Sequence, residues 1–238
     1  MRREFAMSWA GSTAPFLFSD RSHAGKVLAN QLQAHANEPD VLVLALPRGG
    51  VPVAYEVAKA LGSPLDVFQV RKLGVPGEEE LAMGALASGG ILFLNRGIIE
   101  SIGITPEQID AVIQQEQAEL ERRDRAYRGD RPTPQINGKT VILIDDGLAT
   151  GSTMRAAAEA IRRQQPKRLI IAVPTGAAET CEQLRAFADE VICAIAPSDF
   201  RAVGLWYEDF PQLNDQQVRE LLAHATIPEN QPNASHSR

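Results

Sequence analysis

The sequence predicts an α/β fold, a parallel sheet flanked by helices on both faces and closed by a small C-terminal hood. Two observations predict it. Short, nearly continuous apolar runs rich in β-branched residues recur at Val41–Leu46, Leu65–Val70, Ile91–Leu94, Val141–Ile144, Leu169–Val173 and Val191–Ile195. Stretches of helical period lie between most of them.

Taken in order, Asp20 is placed to cap a helix running to about His35, with Val27, Leu28 and Leu32 on one face. Pro52 sits where a first helical turn tolerates proline; Val53, Val57 and Leu61 follow at four-residue spacing, and Gly62 ends that helix. Thr105-Pro106-Glu107 opens another, whose Ile109, Val112, Ile113 and Leu120 form a narrow apolar stripe. Its Glu119/Arg123 and Glu121/Arg125 spacings suit a solvated outer face. Gly129–Gly138, with two prolines, reads as a surface connection. A last clear helix runs from Met154 to about Arg163 and stops before Pro166.

The chain has 238 residues, 44% of them hydrophobic, enough for one sizeable core without staples. One domain over 16–225 is expected, with 1–15 a loose leader and 226–238 a disordered tail. Acidic residues outnumber basic ones 30 to 24, a net charge of −6, which disfavours nucleic acid as a partner. No run of about 18 apolar residues exists, so no membrane span or membrane partner is expected. Cys181 and Cys193 are too few for a disulfide framework and too far apart for a CxxC motif, which points to small core residues in a cytoplasmic protein. The four histidines follow no ligand spacing.

In α/β sheets ligands bind beyond the carboxyl ends of the strands, so the segments that follow the apolar runs carry the functional signal. The richest reads Asp145-Asp146-Gly147-Leu148-Ala149-Thr150-Gly151-Ser152-Thr153. It delivers two carboxylates, then small and hydroxyl residues, then a helix N-terminus, which is a phosphate site by its unpaired amides and positive dipole end. The carboxylates suit vicinal hydroxyls or a hard cation. A sugar 5′-phosphate fits both halves. The Walker P-loop is absent because Gly151 stands where it needs lysine. A receiver domain would need another Asp at the next strand end, which reads Val173-Pro174-Thr175.

This run resembles the ribose-phosphate loop of the type I phosphoribosyltransferases (PRTases). The likeness of layout extends from about Phe18 to about Asp215. It implies a Rossmann-like layered fold and transfer of ribose 5-phosphate from phosphoribosyl pyrophosphate (PRPP) to a base. By that resemblance Asp145 and Asp146 hold the ribose hydroxyls, and Ala149, Thr150, Gly151, Ser152 and Thr153 cradle the 5′-phosphate. Pro47-Arg48-Gly49-Gly50, after the first strand, is a second anion site by its exposed amides and guanidinium. It looks like the family's pyrophosphate loop, where a cis peptide is common.

Arg71-Lys72 opens a Gly- and Pro-rich stretch ending in Glu78-Glu79-Glu80, the profile of an exposed, mobile lid that is neither helix nor buried. In the family such a loop closes over the pyrophosphate. Arg71 and Lys72 match positions that meet the leaving group, and Glu79 is the candidate to reach the attacking base; a solvated loop tip is the plainer alternative. Mg²⁺ is the implied cofactor, carried on PRPP, with Asp145 and Asp146 as indirect partners. Base recognition is expected from the hood at 200–210, with Trp206 as an aromatic platform or as part of a packing cluster. Ala149 departs from the aspartate of hypoxanthine-guanine enzymes. The motif, with Arg48-Gly49 and Arg71-Lys72, looks more like the adenine enzymes, but the rest of the lid does not. A homodimer is implied by the resemblance alone. Two other functions use the same site: a non-catalytic PRPP or nucleotide sensor, and a hydrolase or phosphorylase of a ribose-phosphate compound.

Overall fold

The computed structural model describes residues 17–129 and 131–225. The expected leader and tail fall outside these residues. In chain order, α1 (Arg21–Gln31) starts at Asp20, whose side chain accepts from the His23 amide at 2.7 Å. A 3₁₀ turn at Gln33–His35 completes the predicted helical span. Then come β1 (Val41–Ala45), α2 (Gly50–Leu61), ended by Gly62 at φ 65°, and β2 (Leu65–Val67). Next are β3 (Val70–Val75), β4 (Glu78–Ala87), β5 (Ile91–Leu94) and α3 (Arg96–Ile102). The long α4 (Pro106–Arg128) opens on a capping box between Thr105 and Gln108. After it follow β6 (Thr140–Ile144), α5 (Ser152–Arg163), β7 (Arg168–Thr175), α6 (Ala178–Leu184), β8 (Glu190–Ile195), a 3₁₀ turn at Val203–Trp206, and α7 (Asp215–His224).

Five strands form a parallel sheet in the order β2-β1-β6-β7-β8. Helices cover both faces, as the continuous apolar runs require. Val41, Val43 and Ala45 point into a core shared with α1, α2 and α7, while Leu42, Leu44 and Leu46 point into one shared with α5 and α6. Each of these valine and leucine side chains contributes about 1.5–3 kcal/mol by leaving water. Among the described residues no helix is long and apolar enough to cross a membrane.

The chain departs from expectation between 65 and 94. The run Leu65–Val70 is not one strand: only Leu65–Val67 joins the parallel sheet. The fully buried Phe68 packs against that core, and Gln69 turns the chain away. Gln69 donates to Asp124 at 2.7 Å, and its amide donates to Ser88 Oγ at 3.0 Å. Nor is Arg71–Glu80 an irregular, wholly exposed loop. It forms most of an antiparallel hairpin, β3–β4, and Ile91–Leu94 is the third strand of that separate sheet. The alternation that makes a strand is present: Leu73 and Val75 are buried against Leu120 of α4, while Lys72 is exposed. The Gly-Pro content belongs to the turn and to close packing, not to disorder. Gly77 turns at φ 84°, and a Cβ on Gly74 would lie 2.8 Å from Glu79 O.

The hairpin base is pinned by a buried ion cluster. Arg128, 4% exposed by side chain, donates to Asp66 at 3.0 Å, lies 3.4 Å from Asp124, and donates to the Val67 carbonyl. On α4 the Glu119–Arg123 pair forms at 2.6 Å, whereas Glu121 accepts from Gln117 instead of pairing with Arg125.

Candidate active site

The two anion loops meet because of strand register. Ala45 pairs with Ile144 across β1 and β6, so both strands end at one level, and Leu46 N donates to Ile144 O at 2.9 Å. From β1 the chain goes outward to β2 on one side, and from β6 outward to β7 and β8 on the other. The strand order therefore reverses between β1 and β6, where open α/β sheets hold their ligands.

After β1 the Pro47–Arg48 peptide is cis, as the resemblance implies. Gly49 and Gly50 then pass against the next loop so closely that no side chain fits. A Cβ on Gly49 would lie 2.1 Å from Asp146 Oδ2, and one on Gly50 2.7 Å from Ile144 O. The Arg48 side chain is 44% exposed and 3.9 Å from Asp215. Asp215 also accepts from Tyr127 Oη at 2.6 Å, and burial with that bond pushes the Tyr127 phenol up to about 12.

After β6, Asp146 N donates to Asp145 Oδ1 at 2.8 Å. Burial, and then the neighbouring Asp146 charge, push the Asp145 carboxyl well above the usual carboxylate range. The loop is tied down from three sides. Leu148 N donates to Thr175 O at 2.9 Å, Thr180 Oγ1 to Ala149 O at 2.8 Å, and Tyr207 Oη to Asp146 O at 2.6 Å. Gly147 lies under Val203 of the hood, where a Cβ would meet a methyl at 2.5 Å. At the loop's end Gly151 takes φ 69° as N-cap of α5 and offers no side-chain cap. The first-turn amides of α5 thus face outward beside the exposed Thr150, Ser152 and Thr153. Such a turn is chemically suited to an oxyanion.

Two clefts flank these loops. One of 540 Å³ is bounded by Arg21, Arg48, Asp146, Val203, Phe210 and Gln212. The other, 590 Å³, runs from Thr150–Ser152 along Arg155 to Ala82 and Asn95 beside the hairpin. The structure thus brings together Arg48, Gly49, Gly50, Asp145 and Asp146, with Ala149–Thr153 continuing the same loop.

Other candidates are placed differently. Arg71 pairs with Glu116 of α4 at 2.6 Å, and Lys72 is exposed on the same strand. Glu79 is exposed at the hairpin tip; among the described residues no hydrogen bond or ion pair joins it to either loop. Trp206 stacks on Phe200, centroids 6.4 Å apart and 3° from parallel, and packs with Phe18 and Tyr207. The hood wall of the 540 Å³ cleft is built instead by Val203, Phe210 and Pro211 to Leu213.

Sequence reasoning misses Arg21 and Tyr207. Arg21 Nε donates to Asp146 Oδ2 at 2.8 Å, its side chain only 9% exposed. A cation in the first turn of a helix opposes the dipole, and that anomaly was its one readable signal. Cys181 and Cys193, remote in sequence, line one small cleft between α6 and β8.

Residues 21–209 match the family described as phosphoribosyl transferase domain. A Mycobacterium tuberculosis H37Rv protein, named provisionally as a phosphoribosyl transferase, is 42% identical over 209 residues, 88% of this chain and 47% of that one. The chain thus spans about half the length of that curated relative. A Chloroflexus aurantiacus protein named bifunctional protein PyrR is 34% identical over 142 residues, 58% of this chain and 71% of that one. The crystal structure of TT1426 from Thermus thermophilus superposes with a TM-score of 0.80 at 39% identity, covering 89% of this chain and 100% of that one. With the family match spanning most of its length and the fold shared with TT1426, the chain belongs to the phosphoribosyl transferase domain family.

Proposed function

We propose that the protein transfers ribose 5-phosphate from PRPP to a nitrogen heterocycle, a nucleobase or a relative of one, with release of pyrophosphate. The observation that carries this reading is the convergence at the β1/β6 reversal. A carboxylate pair, an uncapped helix N-terminus and a glycine-arginine loop there open at one level.

In this reading the 5′-phosphate sits on the first turn of α5, taking the amides around Gly151–Thr153 and the hydroxyls of Thr150, Ser152 and Thr153. The ribose hydroxyls lie on Asp145 and Asp146, and the pyrophosphate lies along Arg48–Gly50. The bond from C1 to the pyrophosphate oxygen breaks, and its electron pair leaves with pyrophosphate. The heterocycle nitrogen supplies the pair for the new C1–N bond, and the proton that nitrogen carried is lost to solvent. Positive charge develops on the sugar above the carboxylates while negative charge gathers beside Arg48, a fixed arrangement that favours the transition state over the ground state. Arg71 and Lys72, on the adjoining hairpin, are the further cations for the leaving group.

The donor set also fits Mg²⁺. Among the described residues no cluster of three or more acidic, histidine or cysteine side chains could enclose an ion, and Asp146 is already committed to Arg21. Asp145 and Asp146 suit an ion held chiefly by phosphate oxygens and waters, which would neutralise the leaving pyrophosphate.

The test is thermal unfolding with millimolar PRPP and Mg²⁺, followed by a panel of bases with a pyrophosphate readout. PRPP is expected to raise Tm, and Asp145→Asn with Asp146→Asn to abolish the rise. Pyrophosphate release is expected only when a base is added. No protection by PRPP sinks the proposal; protection without base-dependent release assigns the site to a sensor or a hydrolase.

A further inference from the structure

The transfer chemistry above gives no task to the guanidinium at the centre of the site. Arg21 opens α1, where the helix dipole disfavours a cation, and it is almost fully buried. A buried charge persists only where its partners repay desolvation. Here they are the Asp146 carboxylate at 2.8 Å through Nε, the Pro211 carbonyl at 2.9 Å through a terminal nitrogen, and the Phe210 ring, 3.8 Å below the guanidinium carbon. The first belongs to the ribose subsite, and the other two belong to the hood wall of the cleft in which an acceptor would lie.

We propose that Arg21 is a positioning residue for sugar recognition, rather than a catalytic one: it fixes Asp146 Oδ2 so that Oδ1 faces a ribose hydroxyl, and it fastens the hood to the same carboxylate. The proposal rests on the transferase reading. Three features support it. A carboxylate on a short side chain has a broad terminal torsion, so an unpaired Asp146 would not hold one orientation. Arg21 engages Oδ2 through a single hydrogen bond and does not fork over both carboxylate oxygens, so the carboxylate keeps acceptor capacity beside Asp145. Tyr207, also in the hood, holds the Asp146 carbonyl at 2.6 Å, so the residue is gripped at both ends, by α1 and by the hood. One fork thereby sets the distance between donor sugar and acceptor cleft. Lysine, with a single point of charge, would not reproduce it.

The test compares calorimetric affinities for ribose 5-phosphate and its 2-deoxy and 3-deoxy analogues in the wild type, Arg21→Gln and Arg21→Lys. The wild type is expected to prefer ribose 5-phosphate over at least one deoxy analogue. Losing a charged hydrogen bond to the hydroxyl-reading carboxylate is expected to weaken ribose 5-phosphate binding about tenfold or more in Arg21→Gln. Binding of the disfavoured analogue should barely change, so that the preference collapses. Arg21→Lys, which keeps the buried charge and serves where Arg21→Gln does not fold, is expected to retain part of the preference. A general loosening of the fold would weaken all three ligands alike. An undiminished preference in both folded variants, or a uniform loss, overturns the proposal while leaving the transferase reading in place. A wild type that binds neither ribose 5-phosphate nor PRPP overturns the transferase reading, and this proposal with it.

Discussion

The two sheets use apolar strands to opposite ends. In β1 and β6 every side chain is buried, because helices cover both faces. In β3 only Leu73 and Val75 are buried, packed under α4, while α5 meets the strand without burying its other side chains. A strand enclosed on both faces cannot slip or tilt without opening a core, so its end is a fixed platform, and the carboxylates and both anion loops stand on such ends. A strand whose side chains are mostly left part-exposed, fastened by the ion cluster at the hairpin base, has less to lose by opening. In the proposed reaction the residues it carries, Arg71 and Lys72, are those asked to meet a ligand that enters and leaves.

Truncations of buried side chains break this comparison most directly. Ile142→Ala and Leu73→Ala each remove a fully buried side chain and should each cost about 2–5 kcal/mol at the site of the change. Ile142→Ala is expected to lower the global Tm, by roughly 2–4 °C per kcal/mol in a chain of this size. Leu73→Ala is expected to spend most of its effect on local opening. Hydrogen exchange should then accelerate across 70–94 while amides of β1 and β6 keep their protection. Equal loss of protection in both sheets would show that the two act as one cooperative unit.

The same contrast explains what was legible in advance. Val41–Leu46 and Val141–Ile144 read as strands because burial on both faces leaves an unbroken apolar run, and the motifs that follow them are local in sequence. Arg71–Glu80 misled because its strand alternates over only a few residues and contains Gly74, which is there to let Glu79 O pass at 2.8 Å from where a Cβ would lie. That contact exists only once β4 is in place. Arg21 left only its first-turn anomaly to read, for a related reason: its partners stand 125 and 190 residues away, and no local pattern records them.

A smaller effect sharpens the picture of the fixed platform as a place of stored cost. Burial and the Asp146 charge raise the Asp145 carboxyl in the folded state. The folded chain therefore holds that proton more tightly than the unfolded one, and stability from this group is gained as pH falls through the raised value and lost as pH rises. Asp145→Asn keeps an oxygen to accept from Asp146 N and carries no charge. It is expected to raise Tm by a few degrees at neutral pH, with the gain shrinking toward acid, while PRPP protection is lost. A Tm that falls at neutral pH would mean that the carboxylate is held by favourable contacts and is no burden to the fold.

The smallest expected effect lies at the far end of the hairpin. Glu79 is exposed, and no hydrogen bond or ion pair among the described residues ties it to either loop, so Glu79→Gln should change stability by no more than the roughly 0.5 kcal/mol typical of a surface change, read as a small shift in Tm. PRPP protection should also be unchanged, because the donor is held by strand ends that Glu79 does not touch. What can change is turnover, since only a moving tip would bring this carboxylate to an acceptor. A loss of roughly tenfold or less is expected, below the 10²–10⁴ of a group already in place for proton transfer. A larger loss would put the tip inside the site during the reaction, and the hairpin would then be the moving half of the machinery. No loss at all would make Glu79 part of a solvated turn and leave the chemistry to the fixed platform.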